Sequence, residues 1–251
     1  MNTSAYLDRI NYDSSLARTA QTLRELQFAH LLTVPFENLS IHWKQPIVLD
    51  DDALFEKIVT RRRGGFCYEL NGLFAALLRS LGFKVDMLSA GVGVPDGGFG
   101  PDFDHMTLLV TLEQRWLVDV GFGDSFLDPL LLDTREEQVQ GHRAYKVVPV
   151  DDHLILQQRD TQGEWSNQYR FTLQPHNYPD YSAMCHYHQT SPQSHFTQAR
   201  ICSRTTRSGR ITLSDMRFIT TVGLERRERT LSSEAENATI LREKFGIDKL
   251  A

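Results

Sequence analysis

The chain has 251 residues, 41% of them hydrophobic and 24% charged, and 27 Lys and Arg stand against 32 Asp and Glu for a net charge of −5. This is the composition of a globular protein long enough to bury its own core, which excludes disordered, collagen-like and mini-scaffold classes. The mild acidity offers no basic field for nucleic acid or anionic lipid. The longest apolar runs, such as Leu73-Phe74-Ala75-Ala76-Leu77-Leu78, fall far below the roughly 20 residues of a membrane-spanning helix, so neither nucleic acid nor membrane is expected as a partner.

The segment Met1 to Arg9 has neither the basic start nor the apolar centre of a secretory signal. Three cysteines, Cys67, Cys185 and Cys202, are too few and too odd in number for a disulfide framework. Reduced thiols and a cytoplasmic location are therefore expected. No repeat or low-complexity tract interrupts the chain.

In chain order, the apolar pattern from Asp13 to Gly82 is helical. Leu16, Ala20, Leu23 and Leu26 form one stripe, and Leu54 with Ile58 another. Leu70, Leu73, Phe74, Leu77, Leu78 and Leu81 follow the spacing of a helix face, with Gly82 as its stop. From Phe83 to about Thr190, short alternating or β-branched runs predict antiparallel strands over 106–110, 116–120, 145–150 and 154–157. Further strands are predicted at 210–213 and 217–222. A last helix then follows, with Ser233-x-x-Glu236 as its capping box and Gly246 as its end. Helices first, strands next and a mixed tail last argue an α+β protein rather than an alternating parallel sheet.

The segment Arg63-Gly64-Gly65-Phe66-Cys67-Tyr68-Glu69-Leu70-Asn71 places Cys67 just before or inside the first turn of the strongest helix. Free N–H groups and the positive end of a helix dipole lower a thiol pKa, which makes Cys67 a candidate nucleophile rather than a small buried hydrophobe. Thiolate acyl chemistry requires an imidazole and a group that orients it. His105 opens the run to Val110, and Asp119 sits within the predicted strand 116–120. If the turn between them centres on Glu113, the two residues lie within two positions of facing each other, and the period-2 rule puts them on one face. An acidic residue between Val118 and Val120 also calls for a partner, which a histidine N–H supplies. Asp102, Asp104, Asp124 and Asp128 compete for that role from loop-like contexts.

Other patterns are weaker. Cys185, His186, His188 and His195 include a His-x-His that would point two imidazoles one way on a strand, but no paired spacing of a structural zinc site accompanies it, and no metal is expected. The glycines between Gly91 and Gly100 precede a strand rather than a helix, which argues a lip beside His105 and against a phosphate loop. Arg61-Arg62-Arg63 is expected to be a solvated helix end.

These segments together resemble the arylamine N-acetyltransferase family. Val34-Pro35-Phe36-Glu37-Asn38-Leu39, the 63–71 segment, His105 on its strand, Asp119-Val120-Gly121-Phe122-Gly123, Thr190-Ser191-Pro192 and Phe196-Thr197 agree in order and spacing along nearly the whole chain. The resemblance implies a helical region 1–82 carrying the nucleophile, a β-barrel-like region 83–190 carrying His and Asp, and an α/β lid 191–251, with a tail shorter than in many relatives. It also implies a Cys67-His105-Asp119 triad, an acceptor pocket lined by Phe36, Phe66 and Phe122, and an ion pair between Glu37 and Arg63. The implied activity is acetyl transfer from acetyl-CoA, as co-substrate, to arylamines or arylhydrazines by a ping-pong route. A cysteine hydrolase or transglutaminase-like enzyme would use the same triad, and a protein with a structural cysteine would use none of it. Nothing in the sequence argues for or against a stable dimer.

Overall fold

A computed structural model of the chain describes residues 1–160 and 163–248. The expected helix stripe begins at α2 (Ala20–Thr33), preceded by a short α1 (Thr3–Arg9) that the apolar pattern does not announce; Leu16 lies outside both and is exposed. After strand β1 (Phe36–Glu37) come the short helices α3 (Leu39–His42) and α4 (Asp51–Phe55), the latter running on as a π-helical turn over Glu56–Thr60. Helix α5 (Cys67–Ser80) is the centre of the molecule. It is buried from Cys67 through Leu78, and Gly82 takes up the left-handed backbone just beyond it (φ +85°).

The next strands are β2 (Lys84–Val92), β3 (His105–Thr111), β4 (Arg115–Val118), β5 (Leu130–Leu131), β6 (Gln138–Gln140), β7 (Arg143–Val150), β8 (His153–Asp160) and β9 (Ser166–His176). They form an eight-stranded antiparallel sheet in the order β5-β4-β3-β2-β9-β8-β7-β6. The sheet curls into a barrel whose seam, between the edge strands β5 and β6, is bridged by side-chain amides. Gln138 binds both the N–H and the C=O of Leu131 (2.7 and 3.0 Å), and Gln140 holds Leu127 and Asp128 in the same manner (2.8–3.0 Å). A primary amide carries the same donor and acceptor as a peptide unit, so it stands in for ladder bonds that no backbone supplies.

One prediction fails here. Strands end at His176, and Tyr178–Thr190 is helix α6, not strand. Its first turn has Pro179 and an Asp180 side chain that accepts the Asn177 N–H (2.9 Å), and its buried residues Tyr181, Cys185 and His188 follow helical spacing. Because these residues are aromatic or polar rather than aliphatic, the stripe carries little signal in the sequence.

The remaining chain forms α7 (His195–Gln198), strands β10 (Ile201–Thr206), β11 (Gly209–Ser214), β12 (Arg217–Val222) and β13 (Glu225–Thr230), and α8 (Glu234–Ile240), which continues as a π-helical turn to Phe245. As expected, Ser233 caps α8 and Gly246 ends it (φ +70°), although the back-bond of the capping box reaches Ser232 rather than Ser233. The second sheet has the order β1-β10-β11-β12-β13, so two residues from the first quarter of the chain complete a sheet built by the last quarter.

Both faces of β3 are buried. Met106, Leu108 and Val110 join the apolar core around α5, while Leu109 on the opposite face joins the barrel interior. Complete burial explains why this strand reads as a continuous apolar run. Among the described residues, no helix is long and apolar enough to cross a membrane.

Candidate active site

The residues singled out from the sequence meet where the N-terminus of α5 abuts the end of β3. The β3–β4 hairpin pairs Leu108 with Val118 and Leu109 with Leu117, the register that a turn centred on Glu113 requires. His105 and Asp119 therefore lie on the same face, and His105 Nε2 is 2.7 Å from Asp119 Oδ2. With Nε2 engaged, Nδ1 is the ring nitrogen left to exchange a proton.

Asp119 is buried, yet its carboxyl is held below the ordinary aspartate value. Burial alone would raise it, and the neighbouring His105 and hydrogen-bond donors outweigh burial. Two donors converge on each oxygen. Oδ2 accepts from His105 and from the Tyr169 hydroxyl (3.2 Å), and Oδ1 accepts from Asn71 Nδ2 (2.8 Å) and the Gly121 N–H (2.9 Å).

Asn71 lies one helical turn beyond Cys67 and ties helix to hairpin. Besides Asp119 it donates to Met106 O (2.6 Å) and accepts from the Val120 N–H (2.9 Å). Gln27 of α2 adds another tie, accepting from the Asp119 N–H (3.3 Å) and donating to Leu127 O (2.9 Å). Sequence reasoning assigned no role to Asn71, Tyr169 or Gln27. The i+4 spacing from Cys67 could have drawn attention to Asn71, whereas Tyr169 and Gln27 have no local signature.

Cys67 is the first residue of α5, behind an N-terminal turn in which Glu69 accepts the Phe66 N–H (3.1 Å). Burial pushes the thiol well above its ordinary value, the nearby Asp119 carboxylate pushes the same way, and a hydrogen bond from the Met106 N–H offsets only part of this. An isolated thiolate is therefore disfavoured, and the sulfur needs a proton acceptor beside it.

The backbone reaches this geometry through glycine. A Cβ at Gly64 would sit 1.9 Å from Pro35 O, and one at Gly121 would sit 2.8 Å from Cys67 Cα, so both close approaches exclude any side chain.

Arg63, expected at a solvated helix end, is instead buried. Its guanidinium donates twice to Glu37 Oε1 (3.0 and 2.7 Å), which is the ion pair implied by the family resemblance, and it stacks on the Trp43 ring at 4.5 Å. Glu37 Oε2 in turn accepts the Leu39 N–H (2.7 Å). Burial alone would raise the Glu37 carboxyl, but Lys57 and Arg63 hold it below its ordinary value. Replacing Glu37 by glutamine leaves Arg63 charged, buried and unpaired. We expect a loss of about 3–5 kcal/mol, measured as a fall in urea midpoint; an unchanged midpoint would show that the pair is not structural.

Cys67 and His105 border a cavity of about 360 Å³, together with Phe36, Phe122, Phe196 and Asp104. Its floor comes from the second sheet, where Ile201, Ser203 and Thr212 face the cavity while Cys202 and Leu213 face the opposite apolar cluster. The Phe122 ring meets His105 edge-on at 5.1 Å. Phe66 is not among the lining residues. Its side chain turns into the core, edge-on to Phe196 at 5.5 Å and to Tyr68 at 5.0 Å, so it supports the wall from behind. Phe196 takes the lining position.

The lip before His105 folds back on itself through a Gly93–Phe99 bridge and is pinned at Phe103 O by the Tyr68 hydroxyl (2.6 Å). The His-x-His motif lies on α6, where helical geometry separates its members: His188 is buried and His186 exposed. Among the described residues, no three His, Cys, Asp or Glu side chains are grouped as metal ligands would be.

A buried cysteine and a histidine–carboxylate pair on one aromatic cavity define a class of proteins equipped for acyl transfer through sulfur. Comparison with known proteins narrows that class. A family model described as N-acetyltransferase matches residues 19–250. The chain is 35% identical over 246 residues to the arylamine N-acetyltransferase of Escherichia coli K12, an alignment covering 96% of this chain and 87% of that protein. The solved arylamine N-acetyltransferase of Mycobacterium smegmatis superposes with a TM-score of 0.92 at 32% identity, covering 99% of this chain and 93% of the other. The Mycobacterium marinum enzyme, solved in complex with CoA, gives a TM-score of 0.91 at 32% identity, covering 98% and 93%. The chain belongs to the arylamine N-acetyltransferase family.

Proposed function

We propose that this enzyme moves an acetyl group from acetyl-CoA to arylamines or arylhydrazines by a ping-pong route through an acetylated Cys67, with His105 and Asp119 completing the triad. The observation that carries this reading is the 2.7 Å His105–Asp119 bond on the cavity that Cys67 also borders. Family membership and the CoA complex of the M. marinum relative support the choice of donor.

The raised thiol pKa shapes the first step. Sulfur becomes nucleophilic as its proton passes to His105 Nδ1, and the imidazolium so formed is compensated by the ionised Asp119. The thiolate attacks the thioester carbonyl, a new C–S bond replaces the old one, and the coenzyme leaves as a thiol after taking the proton back from His105. A neutral amine then attacks the acetyl-cysteine and gives its proton to His105, which returns it to the Cys67 sulfur as the C–S bond breaks. Arylamines suit this step because they are unprotonated near neutral pH, and their flat rings fit a pocket walled by Phe36 and Phe122. Cys67 and His105 are only 3% and 2% exposed, which limits loss of the intermediate to water.

In this reading, region 1–82 supplies the nucleophile, 83–190 the base and its orienting carboxylate, and 191–251 the floor that closes the cavity; residues 161, 162 and 249–251 lie outside the described residues. The reaction is placed in the cytoplasm, where the three free cysteines remain thiols.

Intact-mass measurement after mixing with acetyl-CoA alone, followed by peptide mapping and a chase with aniline, tests the proposal. One acetyl group on Cys67 that disappears on adding the amine is the expected result. No adduct, or an adduct that persists, would overturn it.

A further inference from the structure

The wall of the Cys67 cavity contains a charge arrangement that acyl transfer does not use. Asp124, in the loop after Asp119, is held between two arginines from different sheets. Arg143 on β7 grips both carboxylate oxygens (2.8 and 3.0 Å), and Arg210 Nε on β11 lies 3.2 Å from Oδ1. Partial burial would raise the Asp124 carboxyl, whose side chain is 55% exposed, but hydrogen bonds from Arg143 and the charge of Arg210 keep it below its ordinary value.

Arg210 spends its other N–H groups on neutral hydroxyls, Ser203 Oγ at 2.7 Å and Thr205 Oγ1 at 3.2 Å. Arg143 has one further carboxylate, Asp160, at 3.6 Å, and its buried Nε makes no hydrogen bond. Two cations thus converge on Asp124, with Asp160 a more distant second carboxylate for Arg143 alone. The position separates the Cys67 cavity from a second cavity of about 450 Å³; Asp124 and Arg210 border both, and Arg143 borders the second.

We infer that Arg143 and Arg210 form a carboxylate-binding position on the acceptor cavity that Asp124 occupies in cis, making Asp124 the residue that turns away acceptors bearing an anionic substituent. A paired guanidinium fork matches a carboxylate whether it arrives on a side chain or on a small molecule. With Asp124 in place, an incoming anion meets a satisfied fork and a like charge; without that charge, Arg210 keeps only neutral partners and Arg143 only the more distant Asp160. The inference rests on the Cys67 cavity being the acceptor site, but its test needs no acetyl transfer.

The test is equilibrium binding of 4-aminobenzoate and its neutral isostere 4-aminobenzamide by calorimetry, without acetyl-CoA, to the full chain and to Asp124→Asn, with competition between the two ligands establishing a shared site. The ratio of their affinities should move towards the benzoate by about tenfold or more in Asp124→Asn, the scale of one charge-assisted hydrogen bond. It should return on adding Arg210→Gln. Asp124→Ser serves as the second variant where the asparagine form does not fold. An unmoved ratio, a gain that survives loss of Arg210, or two ligands that fail to compete would each overturn the inference. Failure of Cys67 to acquire an acetyl group would overturn the proposed function instead, without moving this ratio.

Discussion

Cys67→Ser will remove turnover by a factor of about 10³ or more while the protein still folds. The sulfur sits at the start of α5 with the Met106 N–H directed at it, and a hydroxyl can accept that same hydrogen bond, so the fold loses little. The chemistry does not survive the change. A thiol already raised by burial still yields its proton to a neighbouring imidazole; an alcohol, far less acidic, does not. Steady-state rates with aniline and acetyl-CoA, read beside thermal melting, check this. Normal activity in the serine variant would remove Cys67 from the mechanism, and a loss of activity with loss of folding would be answered by Cys67→Ala.

Asp119→Asn should damage both rate and stability. Each oxygen of Asp119 receives two donors, so an asparagine must turn its NH₂ towards a pair of groups that also donate. If that amide faces His105, the ring can satisfy it only by accepting at Nε2, which puts a proton on Nδ1 and blocks the nitrogen that should take one from sulfur. A wrong tautomer of this kind costs about 10⁴ in rate where it has been measured in a comparable triad. The strained network should cost about 2–4 kcal/mol in a urea titration. Wild-type stability also acquires a pH signature. Because the carboxyl is lowered in the folded state, its contribution is complete above the ordinary aspartate pKa of about 3.9 and disappears as pH falls through the folded value. Asp119→Asn should flatten that acid limb. Unchanged melting and unchanged rate would transfer the orienting role to another carboxylate.

Much of this site is legible in the sequence because its decisive relations are local. Helix α5 announces itself through six apolar residues on one face, and the β3–β4 register follows from the position of one turn, so spacing offers Cys67, His105 and Asp119 as candidates, which the family resemblance joins into a triad. Relations across long stretches of chain are not legible. Tyr169 reaches Asp119 from β9 and Gln27 reaches it from α2, and nothing near either residue indicates a partner. Helix α6 escapes notice because tyrosine, cysteine and histidine fill its buried face. Phe66 was assigned to the pocket, but its side chain packs inward from the turn before α5. Helix position can be read from sequence, whereas the burial that raises the Cys67 thiol depends on everything packed around the sulfur.

The pairing of Phe36 with Ser203 ties the order of synthesis to the shelter of the Cys67 thiol. By the time Thr190 has left the ribosome, Cys67, His105 and Asp119 have all been made, yet β1 has only its bridge to Gly65 and lacks β10, and the cavity has no floor. The segment that supplies both, through β11, requires roughly two dozen more residues, which takes seconds at about 5–20 residues per second. Closing so long a loop is also slow relative to the local contacts that form α5 and the hairpin. Every newly made molecule therefore passes through an interval in which Cys67 has been made but the floor of its cavity has not.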